Sequence, residues 1–280
     1  FWRCSSTASS NCASCAQNCG ERTEPQSLLV RPNPHARVGK VIAVCSGKGG
    51  VGKSMVTALL ASAAQKKGLR AGVLDADITG PSIPKMFGVH ERAKGDQSGV
   101  YPVPSSGGVQ LMSLNLLLDN ETDPVIWRGP LITGTVKQFW SEVIWDDVDM
   151  LFVDMPPGTG DVTLTVFQSL PVDGIVFVTT PQELVGMIVQ KAVKMAQMMN
   201  LPLAALVENM SYFVCPDCGK EHEIFGPSRA DQTAQSFHIP AVARLPLNAD
   251  ISAAADRGGV EGLSLPQLEP VLAALENIKK

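Results

Sequence analysis

The sequence predicts an α/β fold, in which a mostly parallel β-sheet is covered by helices on both faces. Short segments that are apolar along most of their length, such as 40–45, 150–154 and 174–179, alternate with longer segments of helical periodicity. Strands of this kind are typical of parallel sheets, because helices bury both of their faces. Glycine-rich or acidic residues follow several of these strands, as expected where a parallel sheet gathers its functional groups at the carboxyl edge.

The individual elements follow from the same patterns along the chain. Strands are expected at 40–45, 70–77, 109–114, 150–154, 174–179, 203–208 and 241–244, and helices at 55–67, 131–140, 162–169, 183–199 and 266–280. The segment 88–108 is punctuated by Gly, Ser and Pro and is predicted to be an exposed excursion.

The chain divides into three parts by composition. Residues 1–20 have little to pack and form a predicted flexible segment with four cysteines, and 21–37 form a predicted proline-containing linker. The folded domain is expected to cover 38–280.

Composition excludes several classes of function. Of 280 residues, 45% are hydrophobic and 18% charged, which indicates a well-filled core. A net charge of −4 offers no broad basic surface for nucleic acid or anionic membrane, and no apolar run approaches the ~20 residues that span a bilayer. The start at Phe1 has no apolar signal sequence and is interpreted as a trimmed end, so we expect a cytoplasmic protein.

The clearest motif lies between the first predicted strand and the first predicted helix. It fits the phosphate loop G-x-x-x-x-G-K-[ST] and consists of Gly47, Lys48, Gly49, Gly50, Val51, Gly52, Lys53 and Ser54. Glycines let the backbone wrap phosphates closely, and the helix N-terminus adds partial positive charge. Lys53 is expected to reach the β- and γ-phosphates of a nucleotide, and the Ser54 hydroxyl to bind Mg²⁺.

Carboxylates end two strands of the same predicted sheet. Asp154 is predicted to be the carboxylate that, together with Ser54, holds Mg²⁺, acting through water. The residues that follow it, Pro156-Pro-Gly-Thr-Gly160, are a candidate loop for sensing the γ-phosphate. Asp77, with Asp75 behind it, is expected to orient the attacking water or the metal shell.

Lys48 is a second lysine that an ordinary phosphate loop does not need. Hydrolysis of a γ-phosphate requires positive charge where negative charge develops. A lysine at this position points away from the phosphates of its own loop, so we expect it to act on the nucleotide of a facing subunit.

Most of the seven cysteines fall into two clusters, which in a chain expected to be cytosolic favours metal binding over disulfides. Cys215 and Cys218 form C-x-x-C and supply two of four ligands for a cluster or zinc. A two-fold axis through a homodimer would supply the other two. Zinc, with either His222 or N-terminal cysteines, and a redox dithiol are the alternatives, while Cys45 is expected to be a buried structural residue.

The N-terminal cysteines lie on one short stretch. Their spacing is close to that of ferredoxin-type runs without matching it. Three interpretations remain open: a second iron–sulfur cluster, transient binding of a cluster in transfer or of zinc, and disordered thiols without metal. The residues concerned are Cys4, Cys12, Cys15 and Cys19.

Four motifs in order resemble one known family. The loop 47–54 is similar to the deviant phosphate loop of the MinD/ParA/nitrogenase-iron-protein ATPases, and together with 75–84, 153–161 and 215–218 it resembles the Mrp/ApbC branch of iron–sulfur cluster carriers and scaffolds. The resemblance implies a P-loop ATPase domain, a homodimer with two ATP molecules at its interface, and a [4Fe–4S] cluster bridged by Cys215 and Cys218 of each chain. It also implies that Lys48 reaches the partner's nucleotide and that Asn209 reads adenine.

The activity expected from this resemblance is ATP hydrolysis coupled to delivery of a cluster to apo-proteins, without nucleic-acid or membrane partners. Two other functions are compatible with the same loop. A positioning ATPase of the MinD/ParA kind would need a basic surface or anchor helix, which the C-terminal segment 268–280 provides only weakly. A reductase resembling the nitrogenase iron protein would release electrons rather than clusters.

Overall fold

The structure is a computed structural model that describes residues 28–77, 80, 82–118, 129–158, 161–181 and 185–279; of residues 129–132, 161–162, 185–188 and 192 it describes only the backbone. The predicted four-cysteine segment, with Cys4, Cys12, Cys15 and Cys19, and the first part of the predicted linker lie outside these residues. So do residues 159–160 at the end of the candidate γ-phosphate loop.

The described residues confirm the predicted α/β class. The strands are β1 Val38–Ser46, β2 Ala71–Asp75, β3 Gly95–Asp96, β4 Gly99–Val100, β5 Val103–Pro104, β6 Gln110–Met112, β7 Val148–Asp154, β8 Gly174–Thr179, β9 Leu203–Val214, β10 Glu221–His222 and β11 Ala241–Pro246. The helices are α1 Lys53–Lys66, α2 Ile83–Met86, α3 Gly129–Glu142, α4 Asp161–Ser169, α5 Val185–Met198, α6 Ala230–Phe237, α7 Ala249–Asp256 and α8 Glu269–Glu276.

The main sheet is mostly parallel, in the order β10-β9-β8-β1-β7-β2-β6-β5, with β11 also paired to β9. Among the described strands of this sheet, only β5 and β10 run antiparallel to the strands with which they pair. The strand β1 lies in the middle because it pairs with β7 on one side and β8 on the other. The phosphate loop that follows β1 therefore lies at the centre of the carboxyl edge, where ligands of such sheets bind.

Two apolar cores cover the two faces of the sheet. Along β1, Val41, Ala43 and Cys45 belong to one core, while Ile42 and Val44 belong to the other. This alternation is the period of two that a strand imposes on its side chains, and helices cover both faces. Because β1 and its neighbours are packed between these two cores, the ends of these strands are fixed relative to one another.

Several boundaries differ from the predictions. The helix α1 begins at Lys53, two residues early, because the left-handed Gly52 (φ 80°) ends the loop. The predicted strand 203–208 continues to Val214. The predicted helix 266–280 is a 3-10 turn, Pro266–Leu268, followed by the shorter α8. The excursion 88–108 contains the small β3–β4 hairpin and the edge strand β5.

The described part of the predicted linker, residues 28–37, lies against the domain. The backbone N–H of Val30 donates to Ser169 O (2.8 Å), and the indole of Trp140 donates to Val30 O (2.9 Å). Asn33 is buried, and its amide donates to Ser98 O (2.9 Å). None of the helices in the described ranges has both the length and the apolar character needed to cross a bilayer.

Candidate nucleotide and cysteine sites

The phosphate loop has the backbone conformation that its glycines permit. Gly50 (φ 79°) and Gly52 (φ 80°) both adopt the left-handed region, in which other residues are strained. A Cβ atom at Gly52 would lie 2.2 Å from the amide nitrogen of Asn209, so this position tolerates only glycine. The loop thus turns sharply into α1 and directs the first N–H groups of that helix toward the carboxyl edge.

Lys53 and Asp154 form the buried centre of the site. Lys53 Nζ lies 2.8 Å from Asp154 Oδ1, with the lysine 6% exposed and the aspartate fully buried. The Ser54 hydroxyl donates to Asp154 Oδ2 (2.5 Å). The aspartate at the end of β7 therefore orients both loop side chains that the sequence assigns to phosphate and metal.

Thr57 is a further residue of this centre that the sequence analysis did not identify. Its hydroxyl lies 2.7 Å from Asp154 Oδ1 and 3.0 Å from Lys53 O. Thr57 lies one helical turn after Lys53 and so faces the same side of α1. That spacing was visible in the sequence and would have been the signal to use.

The two other acidic residues have different surroundings. Asp75 is fully buried and accepts hydrogen bonds from the Asp77 N–H (3.2 Å) and the Ser113 hydroxyl (3.1 Å). Burial, followed by the nearby charge of Asp154, raises the pKa of Asp75 to about 8. These hydrogen bonds hold Asp75 beneath the site, between Asp77 and Ser113.

Asp77 lies closer to the loop side chains. Its carboxylate is 16% exposed and 3.9 Å from Lys53 Nζ. It thus borders the same space as Lys53 and Ser54, where a phosphate group or its water would lie. Lys48 is exposed, and its carbonyl accepts a hydrogen bond from the Ser46 hydroxyl (3.0 Å).

Asn209 contacts the loop from the neighbouring part of the sheet. Its amide nitrogen donates to Val51 O (2.9 Å), and its side-chain oxygen accepts from the Met210 N–H (3.0 Å). The side chain is 9% exposed. Asn209 therefore joins β9 to the phosphate loop directly.

The same strand leads into the cysteine pair. Beyond β9, the Cys215 N–H donates to Lys220 O (2.9 Å) and the Gly219 N–H to Cys215 O (2.9 Å), with Gly219 left-handed (φ 70°). β10 then returns antiparallel to β9. Cys215 and Cys218 thus lie at the tip of a short hairpin, with Cys218 exposed and Cys215 half-buried.

The hairpin favours the ionised form of one thiol. Backbone N–H groups of Cys218 and Asp217 lower the pKa of Cys215 below its usual value. Thiolate is the form that binds metal. In contrast, Cys45 is buried, and desolvation raises the pKa of its thiol to about 12, as expected of a structural residue.

The structure does not assemble the zinc alternative that includes His222. Within the described part of the chain, no three His, Cys, Asp or Glu side chains come together as a metal site. His222 lies in β10, opposite Phe213 of β9 rather than beside the two thiols at the tip.

A phosphate loop at the centre of the carboxyl edge, with an acidic residue ending the adjacent strand β7, defines this protein as a P-loop NTPase. A family model described as "ParA: NUBPL iron-transfer P-loop NTPase" matches residues 37–279. The chain belongs to that family, the Mrp/ApbC group of P-loop NTPases, as its four motifs predicted.

Relatives in several organisms support this assignment. An iron–sulfur cluster carrier protein of Clostridium perfringens is 45% identical over 235 residues, covering 81% of this chain and 82% of its own. One of Methanococcus maripaludis is 39% identical over 279 residues, covering 97% and 94%.

Solved structures show the same fold. A nucleotide-binding protein from Archaeoglobus fulgidus, in complex with ADP, is 40% identical with a TM-score of 0.76, covering 83% of this chain and 91% of its own. The cell division ATPase MinD of Pyrococcus furiosus has a TM-score of 0.60 at 17% identity, covering 86% and 100%, and shows the fold alone.

Proposed function

We propose that this protein is a cytoplasmic, ATP-dependent iron–sulfur cluster carrier that delivers a [4Fe–4S] cluster to apo-proteins. A relative that is 45% identical to this chain is an iron–sulfur cluster carrier protein. The observation that carries the proposal is the continuity of β9, which contacts the phosphate loop through Asn209 and ends at the hairpin of Cys215 and Cys218. One strand thus connects a nucleotide site to a pair of thiols.

The phosphate loop is suited to ATP with Mg²⁺, and the relative from Archaeoglobus fulgidus holds ADP. The left-handed glycines open the backbone to phosphates, and Lys53 and Ser54 are fixed by Asp154. A bound Mg²⁺ would be held by Ser54 with Asp154 behind it, and would neutralise charge that develops on the phosphates. Asp77 borders the same space and would orient the attacking water.

Hydrolysis would be completed by a second copy of the chain. Lys48 is exposed, and a residue that acts on a partner's nucleotide has to be accessible to that partner. A lysine supplied across the interface would stabilise the transition-state charge as an arginine finger does. Nucleotide turnover would then depend on dimer formation.

The cargo would be bound between the same two copies. One hairpin supplies two thiolates, and a [4Fe–4S] cluster needs four, which a two-fold axis provides. The side chains of Val214, Ile224 and Phe225, near the hairpin, are 44%, 56% and 42% exposed. Exposed apolar groups of this kind mark a surface that a partner covers, and apo-protein recipients would approach the same end of the molecule. We propose no nucleic-acid or membrane partner.

Anaerobic reconstitution with iron and sulfide tests this function. A four-alanine variant, in which alanine replaces the cysteines at positions 4, 12, 15 and 19, isolates the hairpin, and it should form a brown dimer with about four irons per dimer. Adding Cys215→Ala or Cys218→Ala should remove the iron, whereas adding Cys45→Ala, at a buried thiol, should not. A four-alanine variant that is colourless and loaded with zinc would contradict the bridging cluster.

Transfer is measured separately. The reconstituted protein is mixed with an apo-ferredoxin, and cluster arrival is followed by its circular dichroism with and without ATP and Mg²⁺. ATP should change the transfer rate, because nucleotide and cluster share one interface. A cluster that is bound but never leaves, with electrons passing to the acceptor instead, would favour the reductase.

A further inference from the structure

The strand β9 contains a bulge at the point where it contacts the phosphate loop. Its pairing with β11 moves from Glu208 opposite Arg244 to Tyr212 opposite Pro246. Three residues of β9, 209–211, therefore lie opposite the single residue 245 of β11, an excess of two residues on β9, and Met210 adopts φ 55°. A bulge re-aims side chains, and here it turns Asn209 onto Val51 O.

The bulge is built over a buried acidic residue. Glu208 is fully buried, and its Oε2 accepts a hydrogen bond from the Ser211 hydroxyl (2.6 Å). Its Oε1 has no hydrogen-bond partner among the described residues. A buried carboxylate needs a compensating charge, and Arg244 Nε lies 3.9 Å away while donating to Ser211 Oγ (2.9 Å).

The other end of the same guanidinium contacts the cysteine hairpin. Arg244 Nη2 donates to Glu223 Oε1 (3.0 Å), and Glu223 directly follows the return strand β10. The guanidinium also lies 5.8 Å from the centre of the Tyr212 ring, on the outgoing strand. Arg244 therefore spans the gap between the bulge and the hairpin with one rigid, planar group.

We infer that Arg244 is a positioning residue that couples the phosphate loop to Cys215 and Cys218. A displacement of Val51 and Gly52 on nucleotide binding moves Asn209, and with it the bulge that holds Glu208 and Ser211. Arg244 passes this movement to Glu223 and so to the return strand of the hairpin. The inference rests on the proposed function and extends it, since it names the residue through which bound nucleotide changes how tightly the two cysteines bind the cluster.

A lysine cannot replace this arginine in the proposed role. The ammonium group of lysine is a single point charge on a flexible stem, so it compensates Glu208 or reaches Glu223 but does not hold both in a fixed relation. Arg244→Lys thus separates charge compensation from coupling. Glu223→Gln weakens the hairpin side alone and lies at an exposed residue, 42% accessible.

The test measures thiol reactivity in the metal-free protein, so that it does not depend on cluster binding. Rates of iodoacetamide alkylation at Cys215 and Cys218 are determined by peptide mass spectrometry, with and without saturating ADP and Mg²⁺. In wild type, nucleotide should change the rate by about fivefold or more, the lower range of coupling between sites. Arg244→Gln, Arg244→Lys and Glu223→Gln should each lose this response while still binding ADP.

The control is Arg70→Gln, which removes another ion-paired arginine, bound to Asp147 and Asp149 at the amino ends of β2 and β7. It should retain the wild-type response. The inference would be overturned if Arg244→Lys and Glu223→Gln kept the full change in alkylation rate on nucleotide binding. It would also be overturned if nucleotide left the alkylation rate of the wild-type thiols unchanged. If the thiols respond as expected but no iron is bound on reconstitution, the coupling stands and the carrier function fails.

Discussion

The ammonium group of Lys53 lies 2.8 Å from the carboxylate of Asp154, and the structure buries both. Each charge is compensated mainly by the other, with Asp77 at 3.9 Å from the ammonium group and the Ser54 and Thr57 hydroxyls around the Asp154 carboxylate. Lys53, which is expected to bind phosphate, is thus also part of the buried core of the fold. Substitutions here change stability and binding together.

Lys53→Met should abolish nucleotide binding and lower the free energy of unfolding by about 3 kcal/mol, because it leaves a buried charge without its partner. Adding Asp154→Asn should recover most of that stability, since the remaining charge is removed, but not binding. Urea unfolding and titration with a fluorescent ADP analogue measure the two effects. Equal stability of the single and double variants would contradict this account.

Lys48→Ala should retain nucleotide affinity and lose ATP hydrolysis, because under the proposed function the lysine acts only on the transition state in a partner's site. Lys94→Ala, at another exposed lysine, is the matched control and should hydrolyse normally.

Mixing variants shows in which subunit Lys48 acts. A mixed dimer of Lys48→Ala and Lys53→Met has one site with an intact loop lysine and an intact Lys48 from its partner. Random mixing should therefore restore up to about a quarter of wild-type hydrolysis. Mixtures as inactive as the separate variants would show that Lys48 does not act across the interface.

How far the sequence could predict this structure depends on whether a feature is local. The phosphate loop and the acidic strand ends are patterns of a few adjacent residues, and β7 and β8 were predicted closely. Helix α7 was missed although Asn248 caps it by accepting from the Asp250 N–H (2.7 Å), a signal that the sequence contains.

Features that depend on pairing between distant segments could not be predicted. The bulge in β9 exists because β11 pairs with it on both sides of residues 209–211, about 35 residues away in sequence. The same holds for Ser113, which contacts Asp75 only because β6 pairs with β2. The strand end at Glu208 predicted from the sequence was therefore wrong.

Asp75 should make the protein less stable as the pH rises. The unfolded chain ionises this carboxyl near pH 3.8, while in the folded state its pKa is about 8. Between these values the folded state holds one proton that the unfolded state has released, so its contribution falls as pH rises, by at most about 1.4 kcal/mol per pH unit.

Asp75→Asn removes the titration with a neutral group of similar shape. The difference in unfolding free energy between this variant and wild type should therefore grow from pH 5 to pH 8 in favour of the variant. Asp231→Asn, at an exposed residue of α6, should follow the wild-type profile. Urea unfolding across this range measures the effect, and parallel profiles for Asp75→Asn and wild type would refute a protonated Asp75.

Asn209→Ala tests two roles of one side chain, the contact with Val51 O and the predicted recognition of adenine. Loss of the hydrogen bond leaves the buried carbonyl of Val51 unpaired at a cost of about 1–3 kcal/mol. Because this carbonyl belongs to the phosphate loop, the loop should become less ordered. We expect ADP and GDP to lose affinity in common through the loop, and ADP to lose a further share through its base. Calorimetric titration of both nucleotides separates the two contributions.

The control is Asn277→Ala, which removes an exposed asparagine after α8 and should bind both nucleotides as wild type does. An equal loss for ADP and GDP would limit Asn209 to holding the loop and would remove it from base recognition.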